Sequence, residues 1–446
     1  MMNILFVSLG CDKNLVDSEV MLGLLAEKGY GFTDDEMEAD VIVVNTCCFI
    51  GDAKEESVNT ILEMAEHKKD AKCKALIVTG CMAQRYKQEI IDEIPEVDAV
   101  LGTTTYDSII EAVEEALGGE HMLKCEDIDR LVLTNAKRML TTGGHYAHLK
   151  IAEGCDKHCT YCIIPKLRGN YRSFPMEKLV KEAEELAAQG VKELILVAQE
   201  TTLYGTDIYG KKSLHLLLKE LCKIKDIRWI RVQYCYPEEI YDELIQTMKE
   251  EPKVCNYLDL PIQHASDRIL KRMGRRTSQA DLRAIIGKLR QEIPDICLRT
   301  TLISGFPGET EEDHEELMNF VDEMEFDRLG VFTYSAEEDT PAATMPDQIP
   351  EELKEERRDE IMELQQEISF EKAEEMVGKS LWCMVEGKVA DEYAYVARTY
   401  KDAPGVDGYL FIQTIEELMS GDFVKVRVTG ADEYDLIGEI DDEFTE

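Results

Sequence analysis

The stretch AEGCDKHCTYC, residues 152–162, contains three cysteines in the spacing Cys-x3-Cys-x2-Cys, and no fourth cysteine follows closely. Structural zinc is held by four closed ligands, whereas a cubane iron–sulfur cluster presents one iron to each ligand. A loop with three cysteines leaves one iron of a four-iron cluster without a protein sulfur. The spacing therefore favours a cluster whose open iron binds an exchangeable ligand.

One residue inside this loop leaves a second interpretation open. His158 could act as a fourth ligand, and a closed zinc site would follow. As the simpler alternative, His158 is a polar loop residue between two ligands whose backbone wraps around a cluster.

The cysteine loop follows an apolar strand, AHLKIAEG, and opens a region in which predicted helices and strands alternate. The clearest helix–strand pairs are MEKLVKEAEELAAQG with VKELILVAQE, LHLLLKELCKI with IRWIRVQYC, and ADLRAIIGKLRQEI with CLRTTLISGFPG. Such alternation predicts a barrel or partial barrel of parallel strands. Active sites in barrels of this kind lie at the carboxyl ends of the strands, where we expect the cysteine loop.

The N-terminal third repeats one pattern three times, in ILFVSLGC, VIVVNTC and ALIVTGC. Each apolar run is typical of a buried parallel strand, and the residues after it have apolar positions spaced as in a helix. The region is therefore predicted to form an α/β open sheet. Cys11, Cys47 and Cys81 then lie just past the carboxyl ends of three strands, where open sheets bind ligands. We expect them to share one site, with Cys48 as an alternative ligand or a buried thiol.

The C-terminal part begins with a charged helical stretch after MPDQIP and continues as short β-like segments. LWCMVEGKVA, EYAYVARTY, GYLFIQT and DFVKVRVTGA, broken by Gly, Pro and Asp, predict a small antiparallel barrel. From Gly378 onward there are 6 basic and 16 acidic residues, which favours a protein partner over nucleic acid.

The length of 446 residues predicts two or three domains. A polar, glycine-containing stretch, NAKRMLTTGGHYAHLK, separates the first domain from the second. We place the domains at residues 1–137, 141–374 and 377–446.

Composition indicates a protein of the reducing cytoplasm. The start, MMNILFVSLG, has no basic leader pattern, and no apolar run approaches the length that crosses a bilayer. Fourteen cysteines then suit metal ligands and buried thiols better than disulfides. The net charge of −41 repels polyanions and favours a basic partner, or serves solubility alone. The remaining cysteines are interpreted as packing residues: Cys73, Cys125, Cys222, Cys235, Cys255, Cys297 and Cys383.

CDKHCTYC resembles the signature of the radical S-adenosylmethionine (SAM) enzymes, including the aromatic Tyr161 before the last cysteine. With the three N-terminal cysteines, the whole chain resembles the methylthiotransferase family. The segments that carry this resemblance are SLGCDKNLVDSE, VNTCCFI, VTGCMAQRY, PIQHASDRILKRMGR and SGFPGET. CDKNLVDSE and YKDAPGVDGYLF are most similar to the RimO branch, which modifies an aspartate of ribosomal protein S-twelve.

The resemblance implies a radical SAM barrel, a C-terminal TRAM-like domain for substrate docking and two [4Fe–4S] clusters. It assigns Cys155, Cys159 and Cys162 to the cluster whose open iron chelates SAM. It assigns Cys11, Cys47 and Cys81 to an auxiliary cluster whose open iron carries an added sulfur. Each cluster thus needs three protein ligands rather than four, and no catalytic residue is assigned beyond these ligands.

The resemblance also implies the reaction. One SAM methylates a sulfur on the auxiliary cluster, and a second is cleaved to a 5′-deoxyadenosyl radical that removes hydrogen from the aspartate β-carbon. Such a carbon–hydrogen bond has no acidic proton for a side-chain base, so acid–base catalysis cannot begin the reaction. The implied partners are protein S-twelve and an electron donor such as flavodoxin or ferredoxin, with no membrane and no nucleic acid.

Several further residues are candidates for SAM contacts. Tyr161 belongs to the signature, Gln199 and Glu200 end the second barrel strand, and Gly305 and Gly308 are placed where backbone can approach the adenosine. A structural role at the rim, or ordinary turn punctuation, is the alternative for these residues. Gln263 and His264, at another strand end, have the same two interpretations.

Two other functions compete with the RimO interpretation. A tRNA adenosine methylthiotransferase of the MiaB type has the same clusters, but its C-terminal barrel is expected to bind RNA, which the acidic count opposes. A non-catalytic metal-binding scaffold or electron carrier needs no barrel-sized substrate domain.

Overall fold

The computed structural model describes residues 2–390 and 392–441, which form three main sheets and one short hairpin. The predicted limits 1–137, 141–374 and 377–446 stay predictions, and residues 442–446 of the last domain lie outside the described part. No helix in the described ranges is both long and apolar enough to cross a membrane.

The N-terminal sheet is six-stranded and parallel, in the order β2-β1-β3-β4-β5-β6, as the repeated apolar runs predict. Its strands are β1 Asn3–Ser8, β2 Gly31–Phe32, β3 Val41–Thr46, β4 Ala75–Gly80, β5 Ala99–Leu101 and β6 Met122–Lys124. Its helices are α1 Asp12–Lys28, α2 Gly51–Asp70, α3 Cys81–Tyr86, α4 Gln88–Glu93 and α5 Ile109–Gly118.

Helices cover both faces of this sheet. Every residue of β3 and β4 is buried, and successive residues enter two different apolar cores. Ile42 and Val44 pack in one core, while Val41 and Val43 pack in the other. Alternation of side chains across a strand explains why both faces must be apolar.

The central sheet is also six-stranded and parallel, in the order β14-β13-β12-β11-β10-β7, and stays open as a partial barrel. Its strands, with the β8–β9 hairpin, are β7 Tyr146–Lys150, β8 Ala152–Glu153, β9 Arg172–Ser173, β10 Glu193–Val197, β11 Trp229–Val232, β12 Val254–Asp259, β13 Cys297–Ser304 and β14 Arg328–Thr333. Its helices are α6 Ile164–Arg168, α7 Met176–Ala188, α8 Leu214–Cys222, α9 Asp242–Glu250, α10 Asp267–Arg272, α11 Gln279–Glu292, α12 Glu311–Met324 and α13 Glu351–Glu374.

The C-terminal strands close into a five-stranded barrel in the order β15-β16-β17-β19-β18. They are β15 Ser380–Lys388, β16 Ala394–Thr399, β17 Leu410–Gln413, β18 Phe423–Ala431 and β19 Leu436–Ile440. The predicted small barrel is confirmed, with one difference: β17 and β19 pair in parallel. The long segment between them returns the chain in the direction of β17, and this pairing closes the barrel.

The C-terminal barrel packs against the amino ends of the central strands. Glu193 and Trp229, the first residues of β10 and β11, are buried there. Trp229 meets Phe423 edge to face at 4.8 Å, and Glu193 accepts from Arg398 at 2.7 Å. The carboxyl ends of the same strands, where the cysteine loop lies, are thus left to the N-terminal domain.

Candidate metal centres

The cysteine loop of residues 155–162 lies between β8 and α6, past the carboxyl end of β7, as predicted. Cys155 and Cys159 are buried and Cys162 is partly buried. The loop is tied to itself by Cys162 N donating to Cys159 O at 3.0 Å, and to the end of α10 by Thr160 N donating to Met273 O at 2.9 Å. The backbone therefore turns tightly around the three sulfurs.

The three sulfurs of the loop are near enough to affect one another electrostatically. Burial, and then the neighbouring Cys159, raises the pKa of Cys155 to about 11. Burial also raises the pKa of Cys162, with further contributions from Cys159 and Cys155. A buried thiol of this kind stays protonated until a cation binds, and metal binding then releases the proton.

His158 is exposed, with its backbone in the left-handed region at φ 51. It serves the turn of the loop, as the simpler interpretation predicts. Within residues 2–390 and 392–441, no three side chains of His, Cys, Asp or Glu converge on one metal-ion position. A cubane cluster does not require this, because each cysteine binds a separate iron.

Cys11, Cys47 and Cys81 come together at the carboxyl edge of the N-terminal sheet. Cys11 precedes α1, Cys47 directly follows β3, and Cys81 begins α3 directly after β4. Burial, Cys81 and Cys11 raise the pKa of Cys47 to about 12. Burial raises the pKa of Cys81 as well, and Cys11 adds to it.

Gly10 allows two of these cysteines to approach. Its φ is +88, and a Cβ at this position would lie 2.7 Å from Cys47 Cβ and 3.0 Å from Cys47 Sγ. Only glycine accepts both the left-handed backbone and this spacing without strain.

The other cysteines lie in packing positions. Cys48 is fully buried in an apolar core with Ile61 and Val78. Five of the seven residues interpreted as packing cysteines are buried, and two are partly buried: Cys73, Cys235, Cys255, Cys297 and Cys383, then Cys125 and Cys222.

Gln199 and Glu200 lie past the carboxyl end of β10, close to the cysteine loop. Gln199 Oε1 accepts from the backbone of Gly154 at 2.9 Å, and its amide donates to Glu153 Oε1 at 2.9 Å. Burial raises the pKa of Glu200 to about 7. Its Oε1 accepts from Thr202 N at 2.9 Å, whereas its buried Oε2 has no hydrogen-bond partner among the described residues.

The remaining candidates lie around an apolar cluster beside the loop. Tyr161 packs edge to face on Phe306 at 6.4 Å. Gly305 has φ +70 and Gly308 has φ +81, and added Cβ atoms would meet Lys354 Cγ at 2.2 Å and Arg272 Cζ at 2.9 Å. The missing side chains thus make room for a lysine and an arginine, and contact with adenosine stays a prediction.

Gln263 and His264 follow β12. The backbone of Gln263 joins the sheet, since its N–H donates to Thr301 O at 2.9 Å. His264 is fully buried, and its Nδ1 accepts from Ser266 N at 3.0 Å. Its Nε2 is buried without a hydrogen-bond partner among the described residues, so both interpretations of His264 stay predictions.

Sequence reasoning missed residues that surround the two cysteine sets. Arg168 ends α6 and places Nη2 3.6 Å from Cys81 Sγ. Lys13, two residues after Cys11, lies 3.3 Å from the centre of the Tyr234 ring, past β11. Tyr236 has its hydroxyl 3.6 Å from Cys159 Sγ. The one sequence signal was their position: each lies within a few residues of a predicted ligand or strand end.

The residues at the carboxyl face fit an iron–sulfur cluster and a polar cofactor. Two sets of three thiols supply the soft ligands that iron–sulfur clusters take. Beside the loop, Glu200 Oε2, Gln233 Oε1 and Arg275 Nη1 are buried without a hydrogen-bond partner in the described part of the chain. Unpaired buried polar atoms are costly, and a polar ligand offers them partners.

Family models match three parts of the chain. Residues 3–102 match a model described as uncharacterized protein family UPF0004, residues 149–321 match the radical SAM superfamily, and residues 377–440 match the TRAM domain.

Solved structures share the fold. The radical SAM methyltransferase TsrM from Kitasatospora setae aligns with TM-score 0.55 and 14% identity, over 85% of this chain and 79% of that chain. The cobalamin-dependent radical enzyme OxsB aligns with TM-score 0.52 and 14% identity, over 82% and 56%. The radical SAM family match and the three-cysteine loop define a radical SAM enzyme, a class that implies SAM and a [4Fe–4S] cluster.

Full-length relatives narrow the class. Several relatives are named ribosomal protein uS12 methylthiotransferase RimO. The one from Lachnoclostridium phytofermentans is 65% identical to this chain, over 98% of this chain and 99% of that protein. The one from Acetivibrio thermocellus is 53% identical, over 97% of each. The relative of the same name in Clostridioides difficile is 49% identical over 99% of each. The chain belongs to the RimO family of radical SAM methylthiotransferases, which confirms the branch predicted from the sequence.

Proposed function

We propose that the protein attaches a methylthio group to the β-carbon of an aspartate in ribosomal protein uS12. The observation that carries this proposal is the presence of two sets of three cysteines at adjoining sheet edges, in a chain 65% identical to a protein of that name. Ribosomes are the setting of this substrate, so we place the enzyme in the cytoplasm.

Cys155, Cys159 and Cys162 would hold the cluster that binds SAM, and Cys11, Cys47 and Cys81 would hold an auxiliary [4Fe–4S] cluster. When bound, the first cluster would supply electron-transfer chemistry for reductive cleavage of SAM, and the second would supply a site for the added sulfur. The electron comes from a donor of the flavodoxin or ferredoxin type.

The residues of this chain bind and orient the reactants. Glu200 Oε2, which has no hydrogen-bond partner in the described part of the chain, is available to a polar group of SAM, and Gln199 fixes the loop through Gly154 N. Tyr161 packs edge to face on Phe306 and places an apolar surface beside Cys162, the last cysteine of the loop. Gly305 and Gly308 stay candidates for contact with the adenosine.

The C-terminal barrel suits a basic protein partner. Two of its six basic residues are committed to the central domain: Arg398 pairs with Glu193 at 2.7 Å and Lys401 pairs with Asp327 at 3.1 Å. Three of its sixteen acidic residues are also paired with arginines at this domain contact: Glu386, Asp402 and Asp407. The remaining 4 basic and 13 acidic residues keep the barrel acidic, and this charge steers cationic proteins toward it. A substrate that contacts both this barrel and the cysteine face must span the central strands, about 15–20 Å.

An isotope-transfer experiment tests the proposal. The anaerobically reconstituted enzyme is incubated with reductant, uS12 and SAM that has a deuterated methyl group, and uS12 peptides are read by mass spectrometry. We expect one deuterated methylthio group on a single aspartate. Unmodified uS12, with SAM consumed, would contradict the assignment.

A further inference from the structure

Arg168 joins the two predicted cluster sites. It is the last residue of α6, which continues directly from the cysteine loop of the central domain. Its side chain is only 2% exposed and enters the N-terminal domain, where Nη2 lies 3.6 Å from Cys81 Sγ and also donates to Asn14 Oδ1. A residue of one cluster's domain thus contacts a ligand of the other.

The charge on Arg168 is balanced without the cysteine. Its Nη1 donates to Asp17 Oδ2 at 2.8 Å and to Glu153 Oε2 at 3.2 Å, and Lys150 pairs with the same two carboxylates. Two buried cations therefore face two buried anions. The other terminal nitrogen, Nη2, is shared between Asn14 Oδ1 and the Cys81 sulfur, and the fixed fork of the guanidinium lets Arg168 contact the carboxylates and the sulfur at the same time.

The same network continues to the other loop. Glu153 Oε1 accepts from Gln199 at 2.9 Å, and Gln199 Oε1 accepts from Gly154 N, the residue before Cys155. A continuous line of hydrogen bonds therefore leads from Cys81 through Arg168 to the backbone beside Cys155.

We infer that Arg168 is a positioning residue that donates a hydrogen bond to the iron-bound Cys81 sulfur and raises the reduction potential of the auxiliary cluster. Hydrogen bonds and positive charge at cluster sulfurs favour the reduced form, which is one electron more negative. The inference rests on the proposed auxiliary cluster at Cys11, Cys47 and Cys81.

The test isolates the auxiliary cluster. In a full-length background with Cys155, Cys159 and Cys162 replaced by alanine, the midpoint potential is measured by redox titration followed by electron paramagnetic resonance. Arg168→Met removes charge and donor, and Arg168→Lys keeps the charge near Asp17 and Glu153 but loses the forked contact. Arg138→Lys is the matched control, since Arg138 is buried at the same domain contact, donates to Glu182 at 2.8 Å and pairs with Glu19.

We expect Arg168→Met to lower the reduction equilibrium constant about tenfold, which is about 59 mV for one electron, and Arg168→Lys to lower it less. Arg138→Lys leaves the potential unchanged. Equal potentials in all four proteins, or an equal shift in the Arg138 control, would overturn the inference while leaving the function intact. A background protein that binds no iron and no sulfide would overturn the auxiliary cluster itself, and the inference with it. If Arg168→Met does not retain a cluster, the midpoint potentials of Arg168→Lys and Arg138→Lys test the inference. A lower potential in Arg168→Lys alone supports it, and equal potentials overturn it.

Discussion

Lys13 of the N-terminal domain lies over the ring of Tyr234 in the central domain, with Nζ 3.3 Å from the ring centre. The Tyr234 hydroxyl donates to Asp12 Oδ2 at 3.1 Å, and the Tyr234 backbone has φ 60, a conformation that tyrosine rarely adopts. The strained backbone of Tyr234 is stabilised because its side chain contacts both Asp12 and Lys13, the two residues that follow Cys11. This contact fixes the Cys11 loop against the face that carries the other cysteines.

Loss of the Lys13 ammonium should loosen this loop. A desolvated cation–π contact contributes about 2 kcal/mol, so Lys13→Met should speed amide exchange in residues 11–17 by about 30-fold. Hydrogen–deuterium exchange with mass spectrometry measures this in the metal-free protein. Lys28→Met is the control on the same helix, because Lys28 is half-exposed and pairs with Glu114. Equal exchange in both variants would show that the Tyr234 contact does not hold the loop.

Glu200 should make stability depend on pH. Burial raises its pKa from 4.5 to about 7, so the folded state holds the proton more tightly than the unfolded state. The folded state therefore loses stability as pH rises through that range, by on the order of 3 kcal/mol in full. Glu200→Gln keeps the acceptor for Thr202 N and should stabilise the metal-free protein at pH 8 but not at pH 4.

Urea unfolding of the metal-free protein at both pH values checks this sign. The exposed Glu352→Gln is the control and should change stability by less than about 0.5 kcal/mol at either pH. A Glu200→Gln protein that is less stable than the parent at pH 8 would exclude a protonated, uncompensated Glu200.

Adjacent cysteines should differ in their effect on iron content. Cys47 lies beside Gly10 and within reach of the charges of both Cys11 and Cys81, whereas Cys48 is fully buried in the apolar core and has Cys81 and Arg85 as its main charged neighbours. Cys47→Ala should lose the auxiliary cluster, about half of roughly eight irons, and Cys48→Ala should keep both clusters. Iron and labile sulfide are measured after anaerobic reconstitution. The reverse result would make Cys48 the ligand.

The C-terminal barrel should be held by the ion pairs around Glu193. Arg398 of β16 and Arg231 of β11 both bind this carboxylate, at 2.7 and 2.8 Å, and all three side chains are fully buried. Arg398→Met removes one partner of a buried network, a change that costs about 3–5 kcal/mol. Limited proteolysis should then cleave between α13 and β15 faster. Arg427→Met, on an exposed position of β18, should cleave at the parental rate.

The fold was largely predictable because its strands are buried on both faces or alternate with helices. Runs such as VIVVNT and ELILV fit few structures other than parallel strands, so the first two sheets followed from the sequence. The parallel pairing of β17 with β19 did not follow. That pairing forms when the barrel closes and joins strands that are separated in sequence, so no local sequence pattern predicts it.

The site was predictable only where the residue type itself has specific chemistry. Three cysteines in a short loop indicate a cluster, but Arg168 has no sequence feature that tells a sulfur contact from a surface charge. Its role depends on burial and on Asp17 and Glu153, which are distant in sequence. The same holds for Gly305, whose missing Cβ makes room for Lys354.

The most direct test of the central claim offers the reconstituted enzyme uS12 and tRNA together, under anaerobic conditions with SAM and reductant. Both substrates are then read by mass spectrometry, with the Cys47→Ala protein as the inactive control. We predict a methylthio group on one aspartate of uS12, unchanged tRNA, and no product with the control. Methylthiolated adenosine in tRNA with unchanged uS12 would contradict the account.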